Sequence, residues 1–347
     1  MRAPEASRMV LGSVLLVTGL VAVAVAALGI GQVRLSFAQT LAALLSDTAD
    51  AVHAQIVNQI RMPRVLAAAF AGAALGIAGV LMQALFRNPV ADAWSLGLTA
   101  GGQLGVALTV AGAAFVGPAA LGFLESFQGI SLTVGAAVGV AAAASAMLVL
   151  GRRLGTVTLL VVGLMIWFTT QGLVSVIIHF ASRAGGRIFS GWNDGNFAGV
   201  TPADLPLMIA PILLGAIVAL VAAKPLTSLL LGDAYAKSLG TDVPRLRFRT
   251  LASTVLLVAP VTAFCGPVTF IGLIVPHVAR AIAGSARIAP LVPLAALAGA
   301  LLAVAADFVV HLPWEQHFLH LNAVLALVGA PVVILLLVFS PTMRGYR

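Results

Sequence analysis

Polar residues in this chain gather into short interruptions between long apolar runs. Runs of membrane-crossing character centre near residues 9–30, 65–86, 96–116, 130–150, 157–178, 205–223, 251–265, 271–282, 291–310 and 321–339. Irregular backbone facing lipid would leave its amides without partners, so each run is expected to be a helix, with the short eighth one shielded by protein. Ten crossings and a single transmembrane domain over residues 1–347 follow, with no separate soluble domain. Arg2 and Arg8 precede the first run as they would in a signal peptide, but its length matches a full span of roughly 17–25 residues and predicts a retained helix.

The widest charged interruption is residues 224–249, KPLTSLLLGDAYAKSLGTDVPRLRFR, which reads as a water-facing loop stopped by Pro244. Lys and Arg set its side. With both termini cytoplasmic, the inner face carries Arg2, Arg8, Arg87, Arg152, Arg153, Lys224, Lys237, Arg245, Arg247, Arg249, Arg287, Arg344 and Arg347. The outer face then holds only Arg34, Arg61, Arg64, Arg183 and Arg187, the bias that the positive-inside rule requires. Most acids, Asp307 among them, fall in the outer loops.

Composition narrows the class. The chain is 61% hydrophobic and 9% charged, with mean hydropathy +1.10. Soluble domains run at roughly 45–50% apolar and roughly 25% charged, so a polytopic membrane protein is indicated. The net charge of +8 is dispersed between apolar runs, which argues for topology and against a nucleic-acid partner. Cys265 is the only cysteine, excluding an intrachain disulfide or a cysteine-based metal cluster. No Gly-x-x-x-x-Gly-Lys-(Ser/Thr) loop is present, so ATP hydrolysis, if used, belongs to another chain.

Aligning Gly79 with Gly266 brings Pro89 onto Pro276, and the two segments run in opposite directions, the pattern of an inverted repeat. Asn88 to Ala91 reads as a turn, because Pro89 cannot continue a helix and Asn88 can bond its own backbone. Gly232, Asp233, Ala236, Leu239 and Gly240 describe a short helix with a small-residue face, ended by Gly240. Pro276 and His277 are expected to break the eighth segment at membrane depth. Arg61 and Arg64 mark the mouth of the second helix, where long basic side chains can snorkel to the interface. His311, His317 and His320, with His53 and His179, fall on the outer side. Imidazoles there are either solvated or available to haem iron or a transition metal.

Three blocks now matter together: RMPRVLAAAFAGAALGIAGVLMQALFRNPVADAWSLGL at 61–98, LLLGDAYAKSLG at 229–240 and GPVTFIGLIVPHVARAIAG at 266–284. In combination they resemble the permease family of ABC importers for iron-siderophores, haem and cobalamin, the FecCD-like type II importers. The resemblance implies an all-α, inverted-repeat permease of ten transmembrane helices in the bacterial inner membrane. It would work as a homodimer with two nucleotide-binding ATPase subunits and one periplasmic binding protein. No cofactor is implied in this chain; ATP and Mg would sit on the ATPase. Residues 224–249 would be the cytoplasmic coupling loop, with Gly232, Asp233, Ala236, Leu239 and Gly240 docking the ATPase.

By the same resemblance Arg61, Arg64 and His311 would dock the binding protein. Asn88 and Val90, with Thr156 and Val157, would form cytoplasmic gates. The chain departs from the family pattern at Val90, usually Leu, at Ala93 with Trp94, and in residues 311–320, where a Glu-Leu-Pro element is missing. Trp167, Thr169, Thr170 and Gln171 are candidates for lining the pathway or for simple helix packing. The implied cargo is an iron complex, siderophore or haem, with cobalamin as the alternative. An ion-coupled secondary transporter is the other class, and it is disfavoured because Asp92, Asp233 and Asp307 lie near segment ends.

Overall fold

The computed structural model describes residues 3–45, 50–92, 94, 97–116, 128–181, 183–313 and 319–339, and every regular element among them is helical. In chain order these are α1 (Ala3–Gly29), α2 (Phe37–Leu45) and α3 (Ala51–Gln55), then a π-helical stretch (Ile56–Arg61) that runs into α4 (Met62–Phe86). They continue with α5 (Leu98–Val116), α6 (Gln128–Arg153), α7 (Thr156–Phe180), α8 (Arg183–Asn193) and α9 (Leu205–Leu229). The last five are α10 (Asp233–Ser238), α11 (Val243–Cys265), α12 (Ile271–Ala283), α13 (Ile288–Val310) and α14 (Leu321–Phe339). Among the described residues seven helices are long and apolar enough to cross a membrane, and three shorter apolar helices lie at Leu98–Ala113, Ile271–Ala283 and Leu321–Val332.

Two expectations about chain breaks are corrected. Residues 224–249 are not one loop. Helix α9 continues through Lys224 and Pro225 to Leu229, and α11 begins at Val243. Asp242 caps α11 by accepting from the Arg245 amide, and Pro244 lies in its first turn, where a missing N–H costs nothing. Pro244 therefore starts a helix, and Arg245, Arg247 and Arg249 ride on its first turns. Likewise Pro276 does not break α12, which is continuous from Ile271 to Ala283. The irregular backbone comes just before it, with Gly266 and Phe270 both at positive φ.

Helix α4 is the hub, buried on nearly every face and packed against α13, α12, α11 and α9. Lipid offers no hydrophobic drive between helices, so they associate by close packing of small residues. A Cβ added at Gly72 would lie 2.1 Å from the Gly299 carbonyl oxygen on α13, and one at Gly79 would lie 1.9 Å from the Gly272 oxygen on α12. Gly272 is four residues before Pro276, so its carbonyl lacks the usual helical donor. An α-hydrogen of Gly79 points at that oxygen, a weak Cα–H···O contact. Helices α5 and α6 meet in the same manner, a Cβ at Gly105 lying 2.0 Å from the Gly135 oxygen. By contrast α1, α7 and α9 turn much of their apolar surface outward.

Charge joins α4 to α13 at one end. Arg64 Nε lies 3.1 Å from Asp307 Oδ2, with the two side chains only 8% and 2% exposed. His311 Nδ1 stands 3.2 Å from the other carboxylate oxygen and 2.9 Å from the Asp307 carbonyl. Asp307 is thus a buried core residue and not an outer-loop acid.

Two predictions follow from this packing. Gly79→Leu and Gly72→Val force a side chain against a backbone carbonyl, so each should cost about 3 kcal/mol or more and lower the thermal unfolding midpoint of the detergent-purified chain. Gly112→Ala, where a Cβ meets nothing within 4 Å, should leave the midpoint unchanged or slightly raised. Asp307→Ala strands the Arg64 charge and should destabilise by about 3–5 kcal/mol; adding Arg64→Gln should recover part of that loss in the same assay.

Candidate functional site

At one end of the molecule the 229–240 motif folds as its residues dictate. Gly232 sits at φ 111, a region closed to most side chains, and lets the chain turn sharply out of α9. After the short α10, Gly240 at φ 79 closes the helix, its amide donating to Lys237 O at 2.9 Å while Thr241 donates to Ala236 O at 3.0 Å. Ala236 is fully buried beneath α10, whereas Leu231, Tyr235 and Leu239 are 69%, 47% and 61% exposed. Asp233 does not face solvent alone. Its Oδ1 is 3.3 Å from Arg87 and its Oδ2 is 2.5 Å from Arg247 on α11.

Arg87 introduces the turn at 88–91. It leaves α4 in the left-handed region at φ 48, with its amide on Ala84 O and the Asn88 amide on Gln83 O. Asn88 Oδ1 accepts from the Val90 amide at 3.1 Å, and the Ala91 amide donates to Asn88 O at 3.1 Å. The Pro89 carbonyl lies 3.0 Å from His277 Nε2, so His277 holds the turn to α12. Beside it, Gln83 donates to Leu273 O at 3.2 Å and accepts from Arg280. Val90 is exposed, as is Val157 in the first turn of α7, and Thr156 opens that helix after Gly155.

The opposite end holds the remaining candidates. Arg61 is buried, donating to Leu28 O at 2.6 Å and to Val33 O, so it ties the end of α1 to the π-helical stretch. Arg64 is turned inward onto Asp307, and His311 shares that carboxylate. Neither arginine presents its charge to the surface. His320 pairs with Asp194 at 3.1 Å, and His317 lies outside the described residues. Among the described residues no group of three or more His, Cys, Asp or Glu is placed to hold a metal.

Three polar hubs were not legible in the sequence as hubs, Gln171 standing there only as a pathway or packing candidate. Asn322 donates to Asp194 O and Pro267 O and accepts from the amide and hydroxyl of Thr269, so one side chain knits 194–195 to the irregular 266–270 segment. Gln171 donates to Gln103, which donates to Asn193 at 2.6 Å, linking α7, α5 and α8. Arg280 to Gln83 links α12 and α4. The available signal was an amide side chain within an apolar run, a polar group that lipid does not tolerate unpaired. Of the pathway candidates, Gln171 belongs to this chain of amides, Thr170 is buried and Thr169 faces outward; the buried Trp167 Nε1 has no partner among the described residues.

The model of the FecCD transport family matches residues 19–339. Over 293 residues the chain is 32% identical to the vitamin B12 import system permease protein BtuC of Vibrio cholerae, covering 83% of this chain and 84% of that protein. Over 338 residues it is 32% identical to the ferric enterobactin transport system permease protein FepG of Escherichia coli, covering 95% and 96%. Among solved structures, an inward-facing chain described as a metal-chelate type ABC transporter superposes with TM-score 0.77 at 26% identity, covering 95% of this chain and 99% of that one. The chain therefore belongs to the FecCD transport family and is a multi-pass membrane permease of an ABC importer.

Proposed function

We propose that this permease imports a bulky metal chelate, an iron-siderophore complex first and cobalamin second, working as a homodimer with two ATPase subunits and one binding protein. The observation that carries the partner assignment is the exposed apolar set Leu231, Tyr235 and Leu239 around α10, beside a buried Ala236. Large apolar side chains projecting from a polar end of a membrane protein fit a cleft on a soluble partner. Docked there, the ATPase brings ATP and Mg, and this chain contributes movement only.

The seven long and three shorter apolar helices among the described residues support a reading of ten crossings, and the Lys and Arg bias supports placing the α10 end and both termini in the cytoplasm. The inverted repeat is supported by contact between the related blocks. Gly79 packs on Gly272, and Pro89 meets His277. The exposed face of α7, with Val157, Val161, Met165, Phe168 and Val176, suits a second copy across the pathway. The acids that a secondary transporter would need are already engaged, Asp233 by two arginines and Asp307 by one.

At the far end, Arg61, Arg64 and His311 act on docking by holding the helix ends in shape. Arg183 and Arg187, exposed one turn apart on α8, supply the outward charge that an acidic binding-protein lobe would meet. Vitamin B12 and ferric enterobactin permeases match this chain at the same 32% identity, so both chelate classes belong to the reading. His311 and His320 each face a carboxylate, which speaks against their ligating haem.

Two measurements test the reading. Vesicles containing the permease, its ATPase and its binding protein should take up a ferric siderophore with ATP and leave cobalamin outside; the reverse result would assign cobalamin. Deleting 232–240, or Leu239→Glu with Tyr235→Asp, should abolish copurification of the ATPase. The thermal midpoint of the double variant should remain unchanged, since both side chains are exposed.

A further inference from the structure

We propose that Arg87 is a positioning residue of the transport cycle, tying α10 to the 88–91 turn so that displacement of α10 reaches the gate through one ion pair. The inference rests on the permease reading and names a residue that the family motifs leave without a part. Arg87 ends α4 in the left-handed region, a position that usually takes glycine. A side chain is strained there, and its contact with another helix gives the strain a purpose. Its guanidinium crosses to Asp233, 146 positions along the chain, at 3.3 Å. It passes over Gly232, with Arg87 Nη1 3.6 Å from the place a Cβ would occupy, an ordinary contact distance.

The two ends of this link differ in firmness. Asp233 is held on its far side by Arg247 at 2.5 Å, and Arg247 is only 19% exposed, with a buried Nε that has no partner among the described residues. Losing Asp233 would leave that guanidinium poorly satisfied, so α10 stays with α11. The pair to Arg87 is looser, with side chains 41% and 35% exposed. Pairs so exposed contribute little to stability, too little to hold the fold and little enough to be remade in each cycle. On its other side the turn is fixed to α12 by His277 on the Pro89 carbonyl. Residues 88–91 are thus slung between α10 and α12, and relative motion of the two must tilt Asn88 and Val90.

Val90→Cys reports that tilt, because the one native thiol, Cys265, is buried. Inverted vesicles carrying the permease with its ATPase are labelled with a membrane-impermeant maleimide, with and without ATP, Mg and vanadate. With Arg87 in place the labelling rate should change by about fivefold or more, the lower end of ordinary coupling. Arg87→Gln should flatten the response to below about twofold while the ATPase still copurifies and hydrolyses ATP. Arg87→Lys should restore most of the response, and Arg245→Gln, an exposed arginine paired with Asp242 at 3.2 Å, should leave it intact. A response that survives in Arg87→Gln overturns the proposal. So does an ATP-hydrolysing complex in which the Val90→Cys rate never moves, and the permease reading then stands. A chain that recruits no ATPase overturns both.

Discussion

The structure depends on backbone meeting backbone along α4. Water does not push helices together inside a bilayer, so cohesion there has to come from close van der Waals contact and from polar groups that find partners. Gly72 and Gly79 let α4 approach α13 and α12 until a carbonyl oxygen occupies the place of a side chain. The second contact also settles a local problem, since the Gly272 oxygen that Pro276 leaves without an amide is met by Gly79. With its middle clasped in this way, α4 has little freedom, and the placement of its two ends, near Arg64 and Arg87, follows.

Those ends carry ion pairs of opposite character. Arg64 and Asp307 are almost wholly buried, where removing one partner leaves an uncompensated charge at a cost of several kcal/mol. Arg87 and Asp233 are half in water, where screening makes the pair cheap to break. The same chemistry therefore serves a fixed joint at one end and a movable one at the other. Exposure decides between them. The amide chain through Gln171, Gln103 and Asn193 belongs with the fixed joints, because its part-buried members hold three helices together.

Much of this was legible in the residues, and the misses share a cause. Hydropathy located the seven helices long enough to cross a membrane and the three shorter apolar ones among the described residues, because an apolar run of helical length has few other uses. It placed the start of α11 near 251 when the helix begins at Val243, since Arg245, Arg247 and Arg249 mask the onset; the truer signal was Asp242 followed by Pro244. The Gly240 cap could be read because it is local. Pro276 suggested a break that tertiary contact makes unnecessary. Arg61 and Arg64 were expected at the surface, but spacing along a helix does not say whether a long side chain turns outward or back onto carbonyls such as Leu28 and Val33. Partners distant in sequence, Asp307 for Arg64 or Asp194 for His320, left no trace in the local pattern.

The unbroken helical rod from Ala51 through the π stretch to Phe86 has a consequence for the surrounding lipid. Its 36 residues extend about 54 Å at 1.5 Å each, against a hydrocarbon core of roughly 30 Å. Tilt alone cannot absorb such an excess, so one end of the rod stands beyond the acyl chains. The rod's own Arg61 ties it back to the turn after α1, and α2 with α3 pack around that protruding part. The permease should therefore be sensitive to membrane thickness at this end in particular: a thicker bilayer would draw the π-helical stretch into hydrocarbon, where its polar Asn58, Gln59 and Arg61 are least welcome.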